Sequence, residues 1–337
     1  MRKFRIGNTY IRFLTAVAIS LCLTACGSDN TKAGQDRGNA SSKEEPLKIV
    51  TTIFPEYDWV MNVLGEESDA AEVTMLLDNG VDMHSYQPTV DDILLIADCD
   101  LFIYVGGESD TWVKETLESR ENPNRREINL LEVLGDDVRM EESVEGMEAK
   151  EDQEEEEGKE ADEHVWLSLK NAEIFTGVIA DTLSELDPAH AKEYSDNASE
   201  YLDKIGTLDA DYAEAVSAGR VDTLLFADRF PFRYLVDDYN LEYYAAFAGC
   251  SAETEASFET ILFLAGKIDE LDLPVILTIE GGDVKIAQTV RDNTVRKDQE
   301  ILTIHSMQSV TAKEIAGGTT YLSVMEENLE VLRDALR

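Results

Sequence analysis

The stretch Leu47-Lys48-Ile49-Val50-Thr51-Thr52-Ile53-Phe54-Pro55 is a β-branched run of strand length, stopped by a proline that cannot donate to a sheet ladder. Directly after it, Glu56 to Leu64 places Trp59, Val60 and Val63 at helical spacing. A second apolar run, Glu72 to Leu77, leads into a loop. Behind Pro88-Thr89 the residues Val90, Ile93, Leu94 and Ala97 keep a helical period, and Leu101 to Val105 reads as a third strand ending at Gly106-Gly107. Strand, helix, strand, helix, strand is the pattern of a parallel sheet with helices on its faces.

The same rhythm returns later in the chain. Val221 to Phe226, Leu241 to Phe247, Val275 to Ile279 and Glu300 to Ile304 read as strands, with helices over Phe258 to Leu271, Lys285 to Val295 and Tyr321 to Leu336. Between the two halves the pattern is helical from Asp187-Pro188 to Ala218, with Tyr201, Ile205, Leu208 and Tyr212 in register. A helix of roughly 30 residues spans about 45 Å, longer than one lobe needs and suited to joining two. The predicted architecture is therefore α/β: two lobes, residues 47–186 and 219–337, each a mainly parallel sheet flanked by helices, joined by one long helix over 187–218.

Two further segments stand apart. Arg2, Lys3, Arg5 and Arg12 precede an apolar stretch, Phe13 to Leu23, and Leu23-Thr24-Ala25-Cys26 closes it. This resembles a bacterial lipoprotein signal over residues 1–25, with cleavage before Cys26, a lipid on its thiol, and a flexible polar tether over 26–46. Residues 141–163 hold thirteen acidic residues and two lysines, which predicts a disordered insertion in the first lobe. With a net charge of −41, nucleic acid is excluded as a partner, because one polyanion repels another. Of the four cysteines, Cys22 leaves with the signal, and Cys99 and Cys250 either pair or stay free.

Among the four histidines, three share a context. His84, in Gly80-Val81-Asp82-Met83-His84-Ser85-Tyr86-Gln87-Pro88, follows a strand, as does His305 in Ile304-His305-Ser306; His164, in Asp162-Glu163-His164-Val165-Trp166-Leu167, opens a helix. Taken alone, His84 is equally readable as a loop residue without a role. Three imidazoles and one oxygen would fill a tetrahedral zinc site, although wide spacing in sequence does not establish convergence. His190, beside Lys192 and Glu193, reads as an exposed helix residue.

These motifs carry a resemblance. The loop Gly80 to Pro88, the run Ala97-Asp98-Cys99-Asp100-Leu101-Phe102-Ile103-Tyr104-Val105-Gly106, Asp162 to Leu167, and Gly318-Thr319-Thr320-Tyr321-Leu322 with Met325, Asn328 and Leu332 occur in order. From Leu47 onward the chain resembles the zinc- and manganese-binding lipoproteins of ABC transporters. The resemblance implies a metal bound in the cleft between two lobes, with His84 and His164 as first-lobe ligands. The second lobe departs from the pattern. Ala227-Asp228-Arg229-Phe230-Pro231-Phe232 lacks the usual third ligand, leaving Asp228 as an oxygen ligand or an ion-pair partner of Arg229, and His305 stands where a carboxylate is usual. Glu280, after the strand Val275 to Ile279, is expected to orient an imidazole or to be simply a charge at the cleft edge.

Nitrogen-rich coordination favours zinc, with manganese or ferrous iron as the weaker alternatives. The expected molecule is a monomeric, extracytoplasmic zinc carrier, held to the membrane by a lipid on Cys26, that hands its ion to an ABC transporter permease. It is not expected to be an enzyme. A zinc hydrolase and a surface adhesin are the competing classes, and no general-base motif near the histidines supports the first.

Overall fold

A computed structural model describes residues 46–119, 122–148, 160–251 and 255–337. The expected signal segment, Cys26, most of the tether and the centre of the acidic run lie outside the described residues. The first lobe holds β1 (Leu47–Thr51), α1 (Phe54–Leu64), β2 (Ala71–Met75), α2 (Val90–Asp98), β3 (Leu101–Tyr104), α3 (Thr111–Ser119), β4 (Arg126–Asn129), α4 (Leu130–Leu134) and α5 (Leu169–Leu186). Then comes α6 (Ala191–Ala218). The second lobe holds β5 (Thr223–Phe230), α7 (Arg233–Tyr239), β6 (Glu242–Ala248), α8 (Phe258–Leu271), β7 (Val275–Ile279), α9 (Lys285–Asn293), β8 (Glu300–Ile304), α10 (Ala312–Ala316) and α11 (Tyr321–Ala335).

Each lobe is built on a four-stranded parallel sheet, and the orders β2-β1-β3-β4 and β6-β5-β7-β8 are the same order used twice. In such sheets the crevice outside the carboxyl ends of the strands is the natural place for a ligand. His84 follows β2, Cys250 follows β6, Glu280 follows β7 and His305 follows β8, all at those carboxyl ends.

Burial explains why the elements form where they do. Trp59, Val60, Val63 and Leu64 of α1 are buried without residual exposure, and Trp59 packs on Phe175 and Tyr321 with ring centroids 5.5 and 5.4 Å apart. Such aromatic burial contributes on the order of 2–3 kcal/mol per side chain. The apolar pattern of α2 is a correction to the expected core face. Ile96 and Ala97 are buried, whereas Val90, Leu94 and Leu95 are exposed, because one face alone reaches the sheet.

The long helix begins at Ala191 rather than at Asp187. Asp187 instead caps a turn, accepting from the Tyr194 hydroxyl at 2.9 Å and pairing with His190 Nδ1 at 2.5 Å. At 28 residues α6 is about 42 Å long, and its two ends are fastened to different lobes. Asn197 donates to Val63 O at 3.0 Å and Tyr201 to Asp58 at 3.1 Å in the first lobe; Tyr212 donates to Met325 O at 2.7 Å in the second.

The expectation of a wholly disordered insertion over 141–163 is corrected at both of its ends. Residues 141–148 and 160–163 are ordered because their backbone is paired: Glu141 N donates to Glu160 O at 2.8 Å, Asp162 N to Arg139 O at 2.8 Å, and Glu148 N to Ala246 O at 2.9 Å. Val144 and Met147 pack against the core, and Asp162 and Glu163 are buried. Cys99 and Cys250 are both free, so the option of a disulfide between them is also set aside.

Asp58, on the buried face of α1, carries a perturbed carboxyl. Burial pushes its carboxyl up to about 6, against the lowering effect of hydrogen bonds that include those from Tyr201 and Asn62. A raised carboxyl makes a contribution to stability that is complete below the unfolded value near 3.8 and lost as pH rises through about 6. In Asp58→Asn that loss is absent. The stability of the variant relative to the parent is therefore expected to rise by up to roughly 3 kcal/mol between pH 4 and pH 7 in urea unfolding. A difference that does not change with pH would contradict this.

Candidate metal centre

His84 sits on a short 3-10 turn, Met83–Ser85, whose first backbone N–H groups are met by Asp82: His84 N donates to Asp82 Oδ1 at 3.1 Å. Met83 beside it is buried and holds the turn to the core. His164 is fully buried and opens the turn Val165–Leu167, whose three apolar side chains are themselves fully buried. Trp166 ties that turn across the lobes, donating Nε1–H to Ser306 O at 2.8 Å and accepting on its carbonyl from the Tyr321 hydroxyl at 2.7 Å.

The two imidazoles face each other, with Nε2 to Nε2 at 3.2 Å. Their other ring nitrogens assign the tautomers. His164 Nδ1 lies 2.9 Å from Asp162 Oδ1, which only accepts, so Nδ1 carries the proton. His84 Nδ1 lies 2.7 Å from Ser109 Oγ, and that hydroxyl spends its single proton on Glu163 Oε2 at 2.5 Å, so His84 Nδ1 is also the donor. With one proton on each ring, both Nε2 atoms present lone pairs to one another. Burial, the leading cause, pushes His84 well below the ordinary imidazole range, so a second proton on that ring is disfavoured. A cation held between the two Nε2 atoms would satisfy both lone pairs. With zinc–nitrogen bonds of about 2.0–2.1 Å at a tetrahedral angle, two ligand nitrogens stand about 3.3 Å apart, close to the separation found here.

Behind the imidazoles lies a buried acidic layer. Glu163 also accepts from Ser109 N at 2.8 Å, and Asp110, pushed up to about 7 chiefly by burial and then by the Glu163 charge, accepts from Gly106 N at 2.9 Å. Gly107 has φ +82°, and a Cβ there would meet Glu163 Oε1 at 2.3 Å. Gly249 permits a similar approach on the opposite wall, where a Cβ would lie 2.9 Å from His164 Cε1.

Of the expected ligands, the structure brings His84 and His164 together and leaves the other two apart. Among the described residues, the group of possible ligand atoms lying within 4.8 Å of one another is His84, His164 and Cys250. Asp228 is not in it, because its oxygens accept from Arg229 N at 2.9 Å and Ile279 N at 3.1 Å and so close the end of the β5–β7 pair. Arg229 pairs instead with Asp82 across the lobes at 3.1 Å. His305 also stands outside the group. Its Nδ1 accepts from Met307 N at 2.9 Å and lies 3.4 Å from Glu280 Oε1. Glu280 itself accepts from Ser306 N and Oγ at 2.7 and 2.6 Å, so its hydrogen bonds go to the residue after His305 rather than to the imidazole.

Cys250 is the member of this group that the sequence reading did not name as a candidate. Its backbone N donates to Glu141 Oε1 at 3.1 Å, and burial, followed by the Glu141 charge, pushes its thiol above the ordinary value. The available signal was its position: Gly249-Cys250 follows a strand at the same sheet edge as the missing third ligand.

The family model described as zinc-uptake complex component A, periplasmic, matches residues 49–335. The high-affinity zinc uptake system protein ZnuA of Bacillus subtilis is 30% identical over 319 residues, covering 95% of each chain. The zinc-binding lipoprotein AdcA of Streptococcus pneumoniae is 28% identical over 325 residues, which are 96% of this chain and 60% of that relative. The chain thus spans less than two thirds of the length of the streptococcal relatives. The crystal structure of Zn(II)-bound AdcA from the same organism superposes with a TM-score of 0.69 at 27% identity, covering 87% of this chain and 58% of that one.

Gly107→Ala tests the packing behind His84. A left-handed backbone costs about 1–2 kcal/mol once a Cβ is present, and the displaced Glu163 adds to it. A loss of about 2–4 kcal/mol in urea unfolding is expected, against no measurable loss if Glu163 is free to move.

Proposed function

Because the chain belongs to the family of periplasmic zinc-uptake complex component A, we propose that it captures zinc outside the cytoplasm with high affinity and delivers it to an ABC transporter permease. The observation that carries this reading is the pair of opposed Nε2 lone pairs, each oriented by a carboxylate that acts on the other ring nitrogen, directly or through Ser109. An arrangement of this kind is prepared for a cation before one arrives, so little reorganisation opposes binding. Neutral imidazoles also favour zinc over manganese, which prefers carboxylate and water. The names of the relatives point to the same cargo.

Zinc is handled here as substrate: it enters between the lobes, exchanges hydration water for protein ligands, and leaves when the second-lobe wall separates from the first-lobe imidazoles. The wall is held by contacts that can break singly, among them the Arg229–Asp82 ion pair. Nothing in this cycle requires catalysis. Cys26 carries the lipid that keeps the protein at the outer face of the membrane, residues 26–46 tether the body, and the protein works as a monomer.

Calorimetry or chelator competition on the full chain tests the reading. His84→Ala or His164→Ala is expected to weaken zinc by at least about 100-fold, and Asp162→Asn, which keeps both imidazoles, by about 10–100-fold. Parental affinity in His84→Ala would sink the proposal. Cys26→Ala is expected to move the protein from the membrane fraction to the soluble one, with zinc affinity unchanged.

A further inference from the structure

The second lobe poses a problem of chemistry: two imidazoles cannot alone fill a tetrahedral zinc shell, and the end of β5, where the resemblance implies a ligand, has Ala227 followed by an Asp228 already committed to two backbone N–H groups. β6 runs beside β5 in parallel, and Phe230 is in register with Ala248. The residues immediately after Ala248 therefore reach the same edge of the sheet, one strand over. These are Gly249, whose missing side chain lets the backbone come close to the His164 ring, and Cys250, whose sulfur joins the His84 and His164 nitrogens in one group. The loop is held in place from the first lobe, since Glu141 accepts the Cys250 N–H at 3.1 Å.

We propose that Cys250 supplies a thiolate ligand from the second lobe, so that the metal site is built from two histidines and a cysteine, with the cysteine standing in for the missing ligand on β5. The inference rests on the zinc-capture reading and deepens it. As the metal–sulfur bond forms, the thiol proton leaves to solvent, and the sulfur becomes one of the atoms that close the second lobe over the ion. A thiolate is a soft ligand, so the site discriminates for zinc, cobalt and cadmium and against manganese more strongly than an all-nitrogen and oxygen site would. The ordered stem of the acidic segment acquires a role as well: through Glu141 it positions the ligand-bearing loop.

Cobalt(II) loaded into the metal-free full chain provides the test, because thiolate bound to cobalt gives a sulfur-to-metal charge-transfer absorption in the near ultraviolet that imidazole and carboxylate do not. The band is expected in the parent and in Cys99→Ser and to be absent in Cys250→Ser. Zinc affinity in Cys250→Ser is expected to fall by at least about 100-fold while manganese affinity changes by less than about tenfold. Cys250→His guards against simple misfolding, since it should recover much of the zinc affinity without recovering the band. A band that persists in Cys250→Ser, or parental zinc affinity in that variant, overturns the proposal. If His84→Ala abolishes zinc binding while Cys250→Ser does not, the thiolate fails and zinc capture stands. If the unaltered chain binds neither zinc nor cobalt, both are overturned.

Discussion

Two imidazoles set Nε2 to Nε2 across 3.2 Å, each with its Nδ1 turned to a hydrogen-bond partner, are an arrangement that a protein interior tolerates only when something holds each ring in place. Here the holding groups are Asp162 on one side and Ser109 with Glu163 on the other, both carboxylates nearly without solvent contact. Much of the local architecture follows from keeping them there. The glycine at 107 makes room for Glu163, the buried Val165-Trp166-Leu167 turn anchors His164, and the carbonyl of Ser306 in the second lobe receives the Trp166 N–H.

The two sheets repeat one strand order, yet they contribute unequally. The first lobe supplies both histidines and the groups that orient them. The second supplies a wall built from the ends of four parallel strands, where Asp228, Glu280 and His305 are occupied largely with their own backbone and with one another. The helix α6 spans both lobes and is hydrogen-bonded to each, so it sets their spacing, while side-chain contacts such as Arg229 to Asp82 lie at the rim of the site. A rigid strut with breakable rim contacts suits a carrier that must release what it binds.

The alternation of strand and helix was readable because β-branched runs and helical periods are local properties, and β1, α1, α8 and β7 fall where residues 47–64 and 258–279 place them. Short elements were not: α3, β4, α4, α7 and α10 lack a long period, and α7 directly follows Phe230-Pro231-Phe232. Of the site, His84 and His164 were legible from their loops. That Cys250, rather than Asp228 or His305, stands beside them was not, because which strand end comes near the two histidines depends on register between β5 and β6, which no spacing in sequence reports. The acidic run misled for a related reason. Its composition is that of a solvated segment, but backbone pairing to Arg139 and Ala246 orders both ends, and charge counts are blind to such pairing.

The most direct measurement is a crystal structure of the zinc-loaded chain with anomalous differences recorded at the zinc edge. The expected result is one strong peak between the lobes, about 2.0–2.1 Å from Nε2 of both His84 and His164, with Asp162 and Glu163 still on the far sides of the rings. A peak held only by the acidic segment, or by Asp228 and His305 with the two Nε2 atoms unengaged, would contradict the account.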